Sequence, residues 1–430
     1  MSITFLGNLF PPAVALISGP ILAQALGVGG RGEVAAAMAP LGLAVALVTF
    51  GIPEAVTFAV ARSPSIVRRA AANGYRILAF AGLLAMAAIL LARGWLSGGD
   101  PGIQRLMAVA CFATVPQLLV GVLRGIASAL QQWTLVASER VLASVLRLMA
   151  LIPLWLTDHL TPFTATVVLA AMPLAGALSY LRLPRRLPVA DENPGDLGSA
   201  RRLTGFGLRV WIGSVSGIVL SRIDQTLMTP LSGAHQLGLY VVAVSLSELP
   251  LIINSAVRDV TFVTDAHKSV DRRLAASARI SSGASAVAAL ALGTTMWWWL
   301  PALFGEGFRD AIPVAAILLL AVVLGTPGSI GGAGLSARGR PGLRSVSLAV
   351  ACALNIALIA LLVPRWGAMG AAWATLAGNV TAGTLNLVFL RLLFGIRMRG
   401  FYGIRRSDIV VVRNFAGRVL KGAMRAARRP

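Results

Sequence analysis

The chain has 430 residues, of which 57% are hydrophobic and only 13% charged, with a net charge of +22 and a mean hydropathy of +0.79. Soluble domains carry about 25% charged residues, so this balance excludes an ordinary soluble enzyme and leaves a polytopic membrane protein. Only Lys268 and Lys421 among the 38 basic residues are lysines, a bias that suits bidentate phosphate binding and that a GC-rich genome also produces.

Twelve apolar segments follow one another, at 3–26, 34–60, 73–92, 103–126, 133–157, 162–183, 206–231, 239–262, 278–300, 309–333, 343–363 and 367–391. Each is close to the ~20 helical residues that a hydrocarbon core requires. The predicted fold is therefore an all-α polytopic membrane protein of about 12 transmembrane helices. No basic stretch precedes the first apolar segment, which reads as a retained span and not a cleaved leader. Placing alternate connections on one side collects 28 of the 38 basic residues there and leaves 5 on the other, Arg31 among them. That positive-inside pattern puts both termini in the cytoplasm. Topology thus accounts for the net charge, and no nucleic-acid partner is called for. Trp95, Trp133, Trp155, Trp211, Trp297–Trp299 and Trp366 fall near span ends, as interfacial anchors do.

The longest polar connection before the tail, Pro184–Gly205, divides residues 1–183 from residues 206–394, six spans each, and a basic tail follows over 395–430. The stretch "GVGGRGEVAAAMAPL" from Gly27 aligns without gaps on "GAHQLGLYVVAVSLS" from Gly233, each a Gly-containing outer loop followed by a small-residue helix. Six is even, so both halves enter from the same face. The expectation is two six-helix lobes related by a pseudo-twofold axis normal to the membrane, with the substrate site between them near the midplane. Pro53, Pro116, Pro153, Pro173, Pro250, Pro313 and Pro327 lie inside spans and are read as kinks. The densest break, Gly325–Gly334, is either a hinge or a surface for close helix packing, and packing is the preferred reading.

Charges at depth are the functional candidates. The stretch Ile218–Met228, "IVLSRIDQTLM", keeps Arg222 and Asp224 inside an apolar run. A charge at the bilayer centre costs about 2.5–3.5 kcal/mol on insertion scales, and residues two apart on a helix do not face each other. At least one of the two must therefore reach another helix or a watery cavity. At ~1.5 Å per helical residue, Arg222 and Glu248 lie level, about 13 Å below the outer surface, and Arg147 nearly so. Two readings stay open. In one, Arg222 and Glu248 pair across a helix hairpin and do nothing else. In the other, Arg147 and Arg222 line a cavity for an anionic group, held by Asp224 or Glu248, because the planar guanidinium offers phosphate two parallel charge-assisted bonds. Arg124, Arg209 and Arg258, nearer the inner mouth, either attract the headgroup or anchor the inner leaflet. Glu54 beside Pro53, and Glu248 two residues before Pro250, are candidates for coupling to H+ or Na+; no other cofactor is expected. Glu139–Arg140 reads as an interfacial pair.

Other patterns carry less. Gly27–Gly32 matches G-x-G-x-x-G, but no strand precedes it, so it is taken as a turn. Asn379-Val380-Thr381 lies inside a span, out of reach of glycosylation. His159, His235 and His267 make no metal spacing, and Cys111 and Cys352 make no disulfide framework. In the tail, Val411, Phe415, Val419, Leu420 and Met424 recur at helical spacing among Arg413, Arg418, Lys421 and Arg425. That is the pattern of an amphipathic helix on anionic phospholipid, or of a disordered basic tail.

Three stretches together resemble the polysaccharide-transporter branch of the multidrug/oligosaccharidyl-lipid/polysaccharide (MOP) exporter superfamily, which includes the Wzx-type O-antigen flippases. They are "LGVGGRGEVAAAM" after the first span, similar to the family's LG-x-x-x-x-G turn; "SRIDQTLM" in the seventh, where the family often carries an Asp; and Asn355–Thr375, "NIALIALLVPRWGAMGAAWAT", close to a family pattern of Asn, apolar run, Pro and G-x-x-G-A-A-x-A-T. The resemblance implies two six-helix lobes around a V-shaped cavity, and alternating access. The implied substrate is a polyprenyl-diphosphate-linked oligosaccharide, moved from the inner to the outer leaflet of the bacterial cytoplasmic membrane for O-antigen or exopolysaccharide assembly. It implies no enzyme activity and no catalytic residue. The expected partners are this lipid-linked glycan and anionic phospholipids, for a monomer that works beside polysaccharide-assembly proteins. A cation-coupled multidrug exporter of the same superfamily is the alternative. A membrane-embedded sugar-lipid polymerase or ligase is a weaker one, because such enzymes carry a large outer loop.

Overall fold

Glycines with positive φ mark where the helices reverse. The computed structural model describes residues 2–183 and 198–403, together with Arg405 and Asp408. In chain order the helices are α1 (Ser2–Val48), α2 (Ile52–Arg62), α3 (Val67–Leu96), α4 (Pro101–Cys111), α5 (Thr114–Ala129), α6 (Trp133–Leu156), α7 (Pro162–Gly176), α8 (Ala200–Leu220), α9 (Ile223–His267), α10 (Asp271–Phe304), α11 (Ala311–Ala337) and α12 (Pro341–Phe394). No strand occurs among the described residues. Three of these helices contain one residue off helical geometry: Gly27 in α1 (φ 63°, ψ −174°), Gly233 in α9 (φ 85°, ψ 167°) and Gly367 in α12 (φ 53°, ψ −130°). Side chains other than hydrogen are essentially shut out of such backbone conformations.

Among the described residues eight helical stretches are long and apolar enough to cross a membrane, and the three that run through these glycines measure 53, 68 and 54 residues. Each exceeds twice the ~20 residues one crossing needs, so each crosses twice. With α6, which is 24 residues long, the count reaches the twelve crossings expected from hydropathy.

The elements differ from the expected spans in three respects. First, Gly27 and Gly233 each reverse the chain on a single residue in place of a loop, so the residues that follow are already helical. Second, spans two, four and seven are each broken inside: at Thr49–Gly51, at Phe112–Ala113 and at Ser221–Arg222. Pro53 and Pro116 therefore lie in the opening turns of α2 and α5, where the missing N–H costs nothing, and are not mid-helix kinks. Third, α8 starts at Ala200, its N-cap Ser199 accepting from the Arg202 amide; the last residues of the expected linker are thus helical, and residues 184–197 lie outside the described residues. So does the amphipathic pattern of the tail.

Contacts group the chain into two compact units. One comprises Met1–Ser245, Trp297–Val314 and Ile356–Ala372, and the other Leu246–Met296, Ala315–Asn355 and Trp373–Pro430. In the first unit the repeat found in the sequence becomes a reciprocal contact. A Cβ on Gly32 would sit 1.8 Å from the Ala234 carbonyl oxygen, and one on Gly238 would sit 2.2 Å from the Val28 carbonyl oxygen. Gly32 follows Gly27 by the same five residues that separate Gly238 from Gly233, so the two hairpins grip each other through equivalent backbone. A second tie is made by Trp211, whose Nε1–H donates to the Leu47 carbonyl at 2.6 Å, joining α8 to the end of α1. One apolar cluster of this unit gathers Ile52, Val56, Leu78, Leu118 and Val122 from α2, α3 and α5. In the second unit α11 is continuous through Pro327. Its glycines face α12: a Cβ on Gly328 would lie 1.9 Å from the Gly383 Cα, and one on Gly331 2.9 Å from Leu387. Gly325–Gly334 is a packing surface, not a hinge. Cys111 and Cys352 are both free and buried. Trp95, Trp297, Trp298 and Trp366 are exposed, as on a lipid-facing surface.

Candidate functional site

A cavity of about 360 Å³ lies within the first unit, lined from both arms of α1 and from α6, α7, α8–α9. Among the described residues three guanidinium groups enter it, those of Arg31, Arg147 and Arg222, and no carboxylate does. The uncharged polar lining is Ser18, Gln225 and Ser245.

Each arginine arrives by a different local device. Arg31 stands four residues past the Gly27 reversal, about one helical turn into the second arm of α1. Arg147 sits in the middle of α6. Arg222 is placed by the break between α8 and α9, where the Ser221 hydroxyl donates to the Ile218 carbonyl at 2.9 Å and the Arg222 amide to the Val219 carbonyl at 3.1 Å. That break frees Arg222 from the helix face it would otherwise occupy. Among the described residues, buried nitrogens of two of the three have no hydrogen-bond partner: Nε of Arg31, and Nε and Nη2 of Arg147. Buried donors are nearly always satisfied, and a charged one left unsatisfied is expensive. Three like charges around one small space also repel one another. What removes both costs is an anion with several acceptor oxygens, such as phosphate.

Arg147 and Arg222, two of the candidates from the sequence, line the same cavity. Arg31, which hydropathy places in an outer loop, is instead part of the same lining. Its signal was present: with a single glycine sufficient to reverse the chain, residue 31 must already lie inside a helix. Asp224 is outside the cavity lining but close enough to Arg222 for charge–charge attraction. It is buried, and its carboxylate accepts from the Tyr240 hydroxyl and the Gln225 amide, which fastens the two arms of the α9 hairpin.

The remaining candidates stand elsewhere. Arg124 is engaged in a bidentate pair with Glu139, Nε to Oε2 at 2.9 Å and Nη2 to Oε1 at 2.6 Å, and Tyr180 donates to the same carboxylate at 2.8 Å. Glu139 is thereby a buried junction of α5, α6 and the turn after α7, a role the sequence reading did not give it. Arg209 lines a separate cavity with Arg201 and Arg202. Glu54 is exposed in the first turn of α2. Arg258 and Glu248 belong to α9 in the second unit; Glu248 is exposed, and Arg258 approaches Asp259 at 3.7 Å.

Comparison with known proteins agrees with this architecture. A multidrug resistance MATE family transporter of the MOP superfamily, in an inward-facing conformation, superposes with a TM-score of 0.70 at 14% identity, over 91% of this chain and 98% of that one. The lipid II flippase MurJ, inward closed, superposes with 0.72 at 10% identity, over 91% and 88%. A MOP superfamily transporter from Pyrococcus furiosus, described as having a binding pocket of reverse polarity, superposes with 0.62 at 15% identity, over 91% and 94%. At such identities the likeness is one of fold. No curated protein matches the chain. The family model described as polysaccharide biosynthesis protein matches residues 1–262, well over half the chain, which therefore belongs to that family; it is a multi-pass membrane protein whose fold is like that of the MOP superfamily transporters, with about twelve helices in two lobes.

Proposed function

We propose that the protein is a flippase for a polyprenyl-diphosphate-linked oligosaccharide, carrying it across the bacterial cytoplasmic membrane for cell-surface polysaccharide assembly. One observation carries the reading: a cavity in a membrane-spanning unit presents Arg31, Arg147 and Arg222 with no carboxylate. The family supplies the polysaccharide context; the charge supplies the diphosphate. In this reading the diphosphate occupies the cavity, the polyprenyl chain stays in lipid, and movement of the two lobes exposes the site to each face in turn. A cavity of this sign disfavours the cationic compounds a multidrug exporter would take. Ion coupling, if the cycle uses it, falls to Glu54 or Glu248, the exposed carboxylates beside Pro53 and near Pro250.

The test is flipping of a polyprenyl-diphosphate glycan in proteoliposomes. Each charge-assisted contact is worth about 1.5–3 kcal/mol, so Arg147→Ala with Arg222→Ala lowers the rate roughly 100-fold or more, while Arg147→Lys with Arg222→Lys retains part of it. Unchanged flipping by the double alanine variant sinks the assignment.

A further inference from the structure

The second unit holds an independent basic groove. It has a volume of about 970 Å³ and runs between the start of α10 and the chain after α12, with Ala275, Ile280 and Ile396 as apolar floor. Six charged side chains besides Arg279 line it: Arg272, Arg273, Arg397, Arg405, Asp271 and Asp408. Both acids are already committed. Asp408 takes a bidentate pair from Arg279, Nε to Oδ2 and Nη2 to Oδ1, each at 2.7 Å, with both side chains buried. Asp271 accepts from Arg338 Nη1 at 2.8 Å. Arg279 Nη1 further donates to the Gly400 carbonyl at 2.6 Å, so the wall carrying Arg397 and Arg405 is fixed to α10. The groove is therefore assembled by one ion pair; Arg272, Arg273 and Arg397 line it exposed with no ion pair among the described residues, and Arg405 adds a fourth exposed guanidinium beside Asp408.

We propose that this groove seats the phosphate of an anionic phospholipid from the cytoplasmic leaflet. The chemistry fits on three counts. Converging guanidiniums in excess of the counter-charge beside them suit a phosphodiester. The apolar floor beneath them suits glycerol and the first acyl carbons. The position, at the end of a membrane-spanning helix on the side that carries most of the basic residues, suits the leaflet where anionic headgroups concentrate. The proposal is separate from the transport cavity and stands whether or not that cavity takes a diphosphate.

The experiment titrates spin-labelled phosphatidylglycerol, phosphatidylcholine and inorganic phosphate into the purified full-length protein in detergent. The lipid-binding variant is Arg272→Gln, Arg273→Gln, Arg397→Gln; the control is Arg68→Gln, Arg69→Gln on α3, another basic helix end. Phosphatidylglycerol binds the wild type and phosphatidylcholine does not. The triple variant binds roughly 100-fold more weakly, since each removed charge contributes close to a fivefold factor near a membrane surface, and the control binds like the wild type. Equal binding by the triple variant overturns the site. Equal weakening by the control reduces it to general surface charge. Inorganic phosphate displacing the lipid at matched concentration makes it a soluble-anion site. If the triple variant fails to fold, single glutamine variants tested the same way must each weaken binding.

Discussion

The buried Arg279–Asp408 pair carries a pH signature of known sign. The guanidinium beside it holds the Asp408 carboxyl below its ordinary value of 3.8. A depressed carboxylate stabilises the fold in full above the unfolded value and loses that contribution as pH falls through the folded one. Stability of the wild type should thus decline relative to Asp408→Asn once the pH drops past about 3.8, and the two thermal-denaturation curves should converge in stronger acid; parallel curves would show that the pair contributes nothing. Glu139 makes a contrasting case. Its carboxylate is 5% exposed and its partner Arg124 is 42% exposed. Breaking a fully buried pair costs several kcal/mol, and the exposure of Arg124 reduces this to about 2 kcal/mol. Glu139→Gln should lower the unfolding temperature accordingly, while Arg124→Met with Glu139→Leu, which removes both charges, should recover most of the loss. Neither role was legible in the sequence, because each depends on a partner 15 or 129 residues away that periodicity says nothing about.

At the scale of the element, two glycines five residues apart in α1 serve different physical ends. Nothing lies within 4 Å of a Cβ built on Gly27, so Gly27→Ala meets only the backbone penalty of φ 63°, ψ −174°, about 1–3 kcal/mol. Gly32 has helical geometry, but its Cβ would strike the Ala234 carbonyl at 1.8 Å. Gly32→Ala must push two hairpins apart, and overpacking of that kind adds about 1–3 kcal/mol or more. The expected outcome is that Gly27→Ala lowers thermal stability and leaves the hairpin contact intact. Gly32→Ala, and equally its counterpart Gly238→Ala, should open the contact, measured as cysteine accessibility at Val28→Cys and Ala234→Cys. Identical accessibility in all three variants would mean that the reciprocal contact has no structural weight. The sequence showed the repeat that makes these positions equivalent, since small residues recur at fixed offsets in both halves. It did not show that a single glycine replaces each outer loop. Loop length is set by one φ/ψ pair, whereas hydropathy averages over many residues, and that one difference moved Arg31 from the outer surface into the cavity.

For the whole molecule, stability and function pull in opposite directions at the cavity. Among the described residues Arg147 leaves Nε and Nη2 buried without partners, beside Arg31 and Arg222 in a lining that lacks a carboxylate. A fold selected only for stability would not keep that arrangement, because replacing buried charge with apolar volume is commonly stabilising by about 1–4 kcal/mol. The proposed transport function explains its retention: the unpaired donors are what an incoming diphosphate neutralises, and a site already satisfied by a protein carboxylate would have nothing to offer. Arg147→Met should therefore raise the unfolding temperature of the ligand-free protein in detergent while lowering glycan flipping tenfold or more. Gln225→Glu, which places an acid in the lining, should do the same by pairing internally with the arginines. The two readouts come from one preparation, so a folding defect cannot pass for a transport defect. If Arg147→Met instead lowers the unfolding temperature, the guanidinium is a structural strut, and the anion-binding role assigned to this cavity fails with it.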